Sequence, residues 1–197
     1  FYLKDGIPFY KLKRKGESVI KESRLGLVLT DNQSLDKNLR ITDIKESSTD
    51  ETWNPVLGEM KTIRNQYKSV KVSLEEAVRP NRKLDLFFKV YNEGLGFRYE
   101  FPLQPNLKFF IVSKELTEFN LTGDHKAFWI PGDYDSNEYH YTTSRISEVD
   151  AWKQPMISVG RKERNIPDQY AVQTPLMLKT SEGLYINIHE AALVNYP

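Results

Sequence analysis

The chain has 197 residues and a formal net charge of +1, from 28 basic and 27 acidic side chains that are interspersed along its length. This balance predicts no broad positive surface, so it argues against nucleic acid as a partner. No apolar run reaches the roughly 18 residues that a membrane-spanning helix needs, and the absence of cysteine excludes disulfides and thiol catalysis.

Short strands separated by turns are predicted for the first part of the chain. Lys15 with Gly16, and Asp31 with Asn32, are residue pairs that favour tight turns. Around them apolar residues recur at short spacing, which is typical of an antiparallel meander. The predicted strand positions are Phe9, Leu12, Val19, Ile20, Leu25, Leu27 and Leu29.

A polar loop is predicted next. The short apolar stretch 41–44 leads into the polar run 46–51, and Pro55 ends regular strand pairing soon afterwards. A further strand is predicted over 62–74, although 73–77 alone is compatible with a helical turn.

The middle of the chain contains the clearest strand alternation. Apolar residues at every second position predict a hairpin with its turn at 91–94, where Gly94 and Gly96 favour a positive φ and a bulge. More strands are predicted over 109–112 and 116–121. The alternating positions of the hairpin are Leu84, Leu86, Phe88, Val90, Leu95, Phe97, Tyr99 and Phe101.

Aromatic and acidic residues are concentrated in segment 128–141. Flat rings beside carboxylates are typical of sugar-binding sites, because sugar C–H faces lie on rings while hydroxyls bond to acids. A surface hairpin whose rings pack on their own sheet is the alternative, and composition alone favours it. Asp133, Asp135 and Asn137 resemble the start of a calcium loop, but Glu138 occupies the position of its required glycine, so ordinary turn residues explain them better.

A second hairpin is predicted near the end of the chain. Apolar residues alternate around a turn at 181–183, and the second strand leads directly into the neighbours His189 and Glu190. The alternating positions are Leu176, Leu178, Leu184, Ile186 and Ile188. Adjacent strand residues project to opposite faces, so these two side chains do not easily share a metal ion. A glutamate at a strand end is ordinarily solvent-exposed, and periodicity alone gives Glu190 no further role. The three histidines are too scattered to predict a zinc site.

Many short strands with almost no helical pattern predict an all-β fold, an antiparallel sandwich. No Gly/Ser or Pro-rich linker divides the sequence, so we expect one domain over 1–197. The chain starts at Phe1 and ends at Pro197 without a signal segment, which gives the expectation of one domain from a longer protein.

Several motifs in order resemble the N-terminal domain of glycoside hydrolase family 97, the calcium-dependent, exo-acting α-glucosidases and α-galactosidases of Bacteroidetes. The two strongest are Asn-Glu-Gly-Leu-Gly-Phe-Arg-Tyr at 92–99 and Ile-His-Glu-Ala-Ala-Leu at 188–193. Weaker matches are Ser-Arg-Leu-Gly at 23–26, Trp129, Tyr-Asp-Ser-Asn-Glu at 134–138 and Thr-Pro-Leu at 174–176.

The resemblance implies a galactose mutarotase-like β-supersandwich that packs, in the full enzyme, on a (β/α)8 barrel followed by a C-terminal β domain. The barrel then supplies the catalytic carboxylates, while Glu190 matches the glutamate that this domain contributes to the catalytic calcium ion (Ca2+). Trp129, Asp135 and Glu138 are implied to shape the sugar pocket or the barrel interface, and His189 to lie beside the metal site or at that interface.

Further expectations follow from the resemblance. The full enzyme cleaves an α-linked oligosaccharide in the periplasm, at the cell envelope or outside the cell, whereas this chain alone binds calcium poorly and cleaves nothing. Whether the enzyme prefers glucosides or galactosides, and whether it inverts or retains configuration, is left open because the catalytic carboxylates belong to the barrel.

Two other functions remain as alternatives. One is a free-standing carbohydrate-binding sandwich that uses the aromatic residues of 128–141. The other is a mutarotase-like sugar epimerase, which needs a histidine and a glutamate that converge on the sugar ring. The opposed directions expected for His189 and Glu190 disfavour the epimerase.

Overall fold

The computed structural model describes residues 1–30, 34–155, 157 and 164–191. These residues form two compact units, Phe1–Asn120 and Leu121–Pro197. Strands make up most of the described part of the first unit and form one sheet in the second. Every strand pairing among the described residues is antiparallel. The predicted all-β antiparallel fold is therefore confirmed, whereas the single domain over 1–197 stays a prediction. No helix among the described residues combines the length and the apolar character needed to cross a membrane.

The described residues of the first unit form ten strands in three sheets, ordered β1-β2-β3, β10-β4-β5 and β6-β7-β8-β9. Its buried core includes Tyr10, Leu25, Leu35, Leu74 and Leu84. The strands are β1 (Tyr2–Lys4), β2 (Ile7–Arg14), β3 (Glu17–Arg24), β4 (Leu27–Leu29), β5 (Ser34–Leu35), β6 (Leu39–Trp53), β7 (Ile63–Glu76), β8 (Lys83–Val90), β9 (Leu95–Glu100) and β10 (Val112–Glu115).

The central hairpin is confirmed as β8 and β9, with Leu86 opposite Tyr99 and Phe88 opposite Phe97. The expected positive φ at Gly94 and Gly96 is wrong, since neither glycine adopts it. The turn at Lys15 and Gly16 does use positive φ, at 51° and 90°. The other predicted turn, at Asp31 and Asn32, lies outside the described residues.

The polar loop predicted at 46–51 is wrong, because these residues lie inside the long strand β6. Its polar side chains find partners on β7 instead of an apolar core; for example, the Ser47 and Ser69 hydroxyl oxygens lie 2.7 Å apart. The alternative of a helical turn at 73–77 is also wrong, since Leu74 is buried in β7 and pairs with Leu84.

The strands predicted at 109–112 and 116–121 are largely wrong. Strand β10 begins only at Val112, and Phe109 is 87% exposed. Beyond β10 the chain makes isolated backbone hydrogen bonds, from the N–H of Glu118 to the carbonyl of Arg24 (2.9 Å) and from the N–H of Lys21 to the carbonyl of Asn120 (2.7 Å).

The second unit is built on one four-stranded sheet, ordered β12-β11-β13-β14. The predicted C-terminal hairpin is confirmed: Leu176 lies opposite Ile188 and Leu178 opposite Ile186, and Gly183 has a φ of 86° in the turn. The strands are β11 (Lys126–Trp129), β12 (Thr142–Arg145), β13 (Leu176–Lys179) and β14 (Tyr185–Ile188), with short 3-10 helices at Ile146–Glu148 and Ala151–Lys153. The core consists of Ala127, Trp129, Val149, Ala151 and Leu178.

Candidate functional site

The C-terminal hairpin delivers Glu190 to the rim of an open cleft in the second unit. Strand β14 ends at Ile188, and both His189 and Glu190 follow it as exposed residues. The cleft has a volume of about 350 Å³. It is lined by Gly132, Asp133, Tyr134, Pro167, Ala171, Val172, Gln173, Thr174 and Glu190.

The Glu190 carboxylate is held by a neutral donor. The hydroxyl of Thr174 donates a hydrogen bond to Glu190 Oε2. No lysine or arginine among the described residues forms an ion pair with Glu190. The Thr174 hydroxyl therefore orients this carboxylate, and no described side chain neutralises its charge.

Such a carboxylate fits a hard cation as one ligand among several. Calcium takes six to eight oxygen ligands. Within the described ranges, no group of three or more histidine, aspartate or glutamate side chains is placed to hold a metal ion. The described part of this chain therefore shows no complete carboxylate site around Glu190, and a calcium ion bound there would need further ligands.

A well-anchored loop that begins at Gly132 forms part of the lining of the cleft. Buried Asp133 accepts two hydrogen bonds, from the backbone N–H of Asp135 to Oδ1 (2.9 Å) and from the Tyr139 hydroxyl to Oδ2 (2.6 Å). The Gln173 side-chain amide donates to the carbonyls of Asp133 (3.2 Å) and Ser136 (3.0 Å). Asp133 thus forms an Asx-type turn, as the interpretation of these residues as turn formers predicts.

The start of this loop lies against the segment that carries Thr174. Gly132 donates a backbone hydrogen bond to the carbonyl of Ala171 (2.8 Å), and Pro131 forms an isolated bridge with Val172. A Cβ atom on Gly132 would lie only 3.1 Å from the backbone carbon of Ala171. A glycine at this position therefore allows the two segments to approach closely on one side of the cleft.

Trp129 is part of the hydrophobic core, which corrects its predicted place at a sugar pocket or barrel interface. Its side chain is 1% exposed, and its indole N–H donates to the Ser144 hydroxyl at 3.0 Å. Because Ala127 and Trp129 occupy alternate positions of β11 and are both buried, strand periodicity could have identified this role.

The aromatic segment presents tyrosines rather than its tryptophan to solvent. Tyr134 and Tyr141 are 76% and 67% exposed, whereas Tyr139 is 4% exposed. Tyr134 lines the cleft that also contains Glu190, although within this segment only Trp129, Asp135 and Glu138 were singled out as site residues. Its position after the Pro131 and Gly132 turn residues was the available signal.

The remaining predicted site residues are all exposed. Asp135 accepts a hydrogen bond from the Asn165 side-chain amide at 3.2 Å, and Glu138 donates its backbone N–H to Ser136 Oγ at 3.1 Å. His189 and Glu190 lie beyond the end of β14, so strand alternation does not set their directions. The roles predicted for Asp135, Glu138, His189 and Glu190 stay predictions. Ala192 and Leu193, which complete the last matching motif, lie outside the described residues.

Comparison with known proteins identifies the family. The sequence matches the glycosyl-hydrolase 97 N-terminal family over residues 1–197. The chain belongs to this family. It is thus the N-terminal domain of a glycoside hydrolase of family 97, as its motifs led us to expect.

Solved structures of family 97 enzymes agree with this assignment. An enzyme from Pseudoalteromonas sp. strain K8 in complex with panose is 30% identical, with a TM-score of 0.79, over 97% of this chain and 26% of its own. The acarbose complex from the same organism gives 30% identity and a TM-score of 0.81, over 98% of this chain and 27% of its own. A β-arabinopyranosidase shares the fold at 17% identity and a TM-score of 0.74, over 95% of this chain and 28% of its own. The glycoside hydrolase 97 N-terminal domain therefore spans about a quarter of these enzymes.

Proposed function

We propose that this domain belongs to an exo-acting α-glycosidase, in which it packs on the catalytic barrel and supplies Glu190 as one ligand of the catalytic calcium ion. The match to the N-terminal family and the much greater length of the solved relatives support a catalytic partner domain. The exposed Glu190 carboxylate at the rim of the cleft is the observation that carries the calcium proposal.

Two features of Glu190 support its role as a ligand. Its carboxylate remains at the surface, so a group on another domain can reach it. Its only hydrogen-bond partner among the described residues is the Thr174 hydroxyl, which orients the group without cancelling its charge. A carboxylate paired with an arginine would have to break that ion pair before binding a cation, and none of the described arginines imposes this cost on Glu190.

The residues of this domain would orient the Glu190 carboxylate and would not cleave the glycosidic bond themselves. Thr174 limits the rotation of the Glu190 side chain, and the hydrogen bonds of Asp133 hold a neighbouring part of the cleft lining in place. A bound calcium ion would polarise a sugar oxygen or a water molecule beside the catalytic carboxylates of the barrel. Glu190 would also bridge the two domains, because a single ion would hold ligands from each of them.

An α-linked oligosaccharide is the proposed substrate. The Pseudoalteromonas enzyme was solved with panose, a glucose trisaccharide with α linkages, and with acarbose. At 30% identity these complexes favour an α-glucoside for the parent enzyme, with an α-galactoside as the alternative that the family resemblance implies. Location in the periplasm, at the cell envelope or outside the cell is part of this proposal and depends on that resemblance alone.

The test compares two glutamates of the same hairpin in the full-length enzyme. Glu190→Gln keeps the shape of the side chain but removes its charge, and we expect calcium affinity measured by calorimetry to fall by more than the roughly 10-fold that loss of an outer hydrogen-bond partner costs. Hydrolysis of an α-glucoside and an α-galactoside should fall with it. Glu182→Gln is the matched control, since Glu182 is exposed in the hairpin turn. Wild-type calcium affinity in Glu190→Gln would contradict the proposal.

A second candidate function, a free-standing carbohydrate-binding domain, is favoured by the exposed ring of Tyr134 in the cleft. Titration of the 197-residue chain with maltooligosaccharides separates the two proposals. Submillimolar binding that is lost in Tyr134→Ala would favour the binding domain, whereas the calcium proposal expects no such binding without the barrel.

A further inference from the structure

Strands β6 and β7 extend beyond the rest of their sheet. They pair continuously from Leu39 opposite Glu76 to Trp53 opposite Ile63, whereas β8 pairs with β7 only from Lys68 to Glu75. The segments 49–53 and 63–67 therefore form a two-stranded ribbon, joined by the connection 54–62. At about 3.3 Å per residue this ribbon is roughly 15 Å long. We call residues 49–67 the arm.

The two strands of the arm are joined by hydrogen bonds between polar side chains. Arg64 donates two hydrogen bonds to Asp50, from Nε to Oδ1 (2.7 Å) and from Nη2 to Oδ2 (2.6 Å). Asn65 Nδ2 donates to Glu51 Oε1 at 2.7 Å, which adds a second contact between the strands. These contacts hold the two strands in register and keep the length of the arm hydrophilic.

The end of the arm is exposed and carries four apolar side chains, together with the charged residues Glu59 and Lys61. Val56 and Leu57 are consecutive and are 98% and 89% exposed, Met60 is 62% exposed, and Trp53 at the last strand pair is 50% exposed. Single exposed apolar residues are normal on protein surfaces, whereas several on one short connection are the kind of surface that protein contacts use. A two-stranded hairpin is also only marginally stable in water, so contacts at its end would help to stabilise it.

We propose that the apolar end of the arm, formed by Trp53, Val56, Leu57 and Met60, docks in an apolar recess on the catalytic part of the same polypeptide. This inference rests on the proposed function, because it requires a catalytic domain in the same chain. The solved relatives, of which this domain spans 26–27%, leave ample chain for such a partner.

The small size of the contact favours a tethered partner over a second copy of the chain. A stable interface between separate proteins buries roughly 800 Å² on each side and uses about 20–30 residues. The end of the arm provides only one connection, 54–62, with two nearly fully exposed aliphatic side chains. A covalently linked partner is present at a high effective concentration, so a contact of this size is sufficient.

Hydrogen exchange in the full-length enzyme tests the docking. We expect the amides of 56–60 to be protected in the wild type and to exchange roughly tenfold faster or more in Val56→Asp/Leu57→Asp, because charged side chains prevent docking. Both substituted positions face solvent within this domain, so circular dichroism should show an unchanged fold. Leu103→Asp is the matched control, since Leu103 is fully exposed in the same unit but outside the arm.

Two outcomes would overturn the proposal. One is that the amides of 56–60 exchange as fast in the wild type as in the double variant. The other is protection that rises with protein concentration together with a doubled mass in light scattering, because that result identifies a second copy as the partner. Neither outcome involves calcium or glycoside hydrolysis, so failure of the docking is distinguishable from failure of the proposed function, which Glu190→Gln tests.

Discussion

Thr174 and Glu190 are 16 positions apart in the chain, and the Thr174 hydroxyl donates a hydrogen bond to the Glu190 carboxylate. Thr174 precedes β13 and Glu190 follows β14, so the pairing of these two strands brings the residues together. Because the donor is neutral, it can orient the carboxylate while leaving its charge available to a cation.

Thr174→Val removes this hydroxyl with little change of shape. We expect the calcium affinity of the full-length enzyme to fall roughly 10-fold, the lower end of the range for losing a group that orients a ligand. Thr174→Ser retains the donor and should bind calcium nearly as the wild type does. Calorimetric titration measures both variants, and equal affinities for the valine and serine variants would contradict a positioning role for Thr174.

Trp129 should contribute to stability because it fills the core of the second unit. Trp129→Ala is expected to lower the free energy of unfolding by about 3–5 kcal/mol, as large-to-small core substitutions do. Trp152, which is 56% exposed, provides the control. Trp152→Ala should change the free energy of unfolding by no more than about 0.5 kcal/mol. Urea unfolding followed by circular dichroism measures both variants. A similar loss of stability in Trp129→Ala and Trp152→Ala would contradict the role of Trp129 in the core.

The ion pair of Glu76 and Arg82 should be important for the first unit. Arg82 Nε and Nη2 donate to the two Glu76 carboxylate oxygens at 2.8 and 2.5 Å, and the two side chains are only 6% and 5% exposed. Arg82→Met would leave a buried carboxylate without its charged partner, which costs about 3–5 kcal/mol.

An exposed ion pair of the same sheet supplies the comparison for Arg82→Met. Arg40 pairs with Glu75, but its side chain is 60% exposed. Arg40→Met should therefore cost no more than about 1 kcal/mol. Thermal unfolding of both variants measures the difference in their stability. An Arg82→Met variant as stable as Arg40→Met would contradict a structural role for the buried ion pair.

The arm should weaken in acid. Hydrogen bonds and charge from Arg64 hold the pKa of Asp50 below its ordinary value of 3.8. Because the pKa is lower in the folded state, this contribution to stability is fully present above about pH 3.8 and is lost as the pH falls through the folded pKa. Arg64→Gln should return the Asp50 pKa towards 3.8, as measured by NMR titration of the carboxyl carbon. An unchanged titration in the variant would contradict the assigned cause.

Apolar alternation in the sequence predicts those strands that bury one face in a core. The alternating apolar positions and the turns of the hairpins β8–β9 and β13–β14 were predictable, because side chains alternate with a period of two and the apolar set has to face a core. Strand β6 was missed at 46–51 for the same reason: its side chains are exposed on both faces, and a strand without a buried face has the composition of a loop.

The sequence by itself determined the all-β class, the family and the position of Glu190 just beyond a strand end, since each depends on motifs or on neighbours along the chain. Only the tertiary structure decided that Trp129 is covered by the core, that Tyr134 is exposed in the cleft and that Thr174 orients Glu190. These facts depend on contacts between segments far apart in the sequence, and periodicity indicates which side of a strand is buried but not which distant residue lies against it.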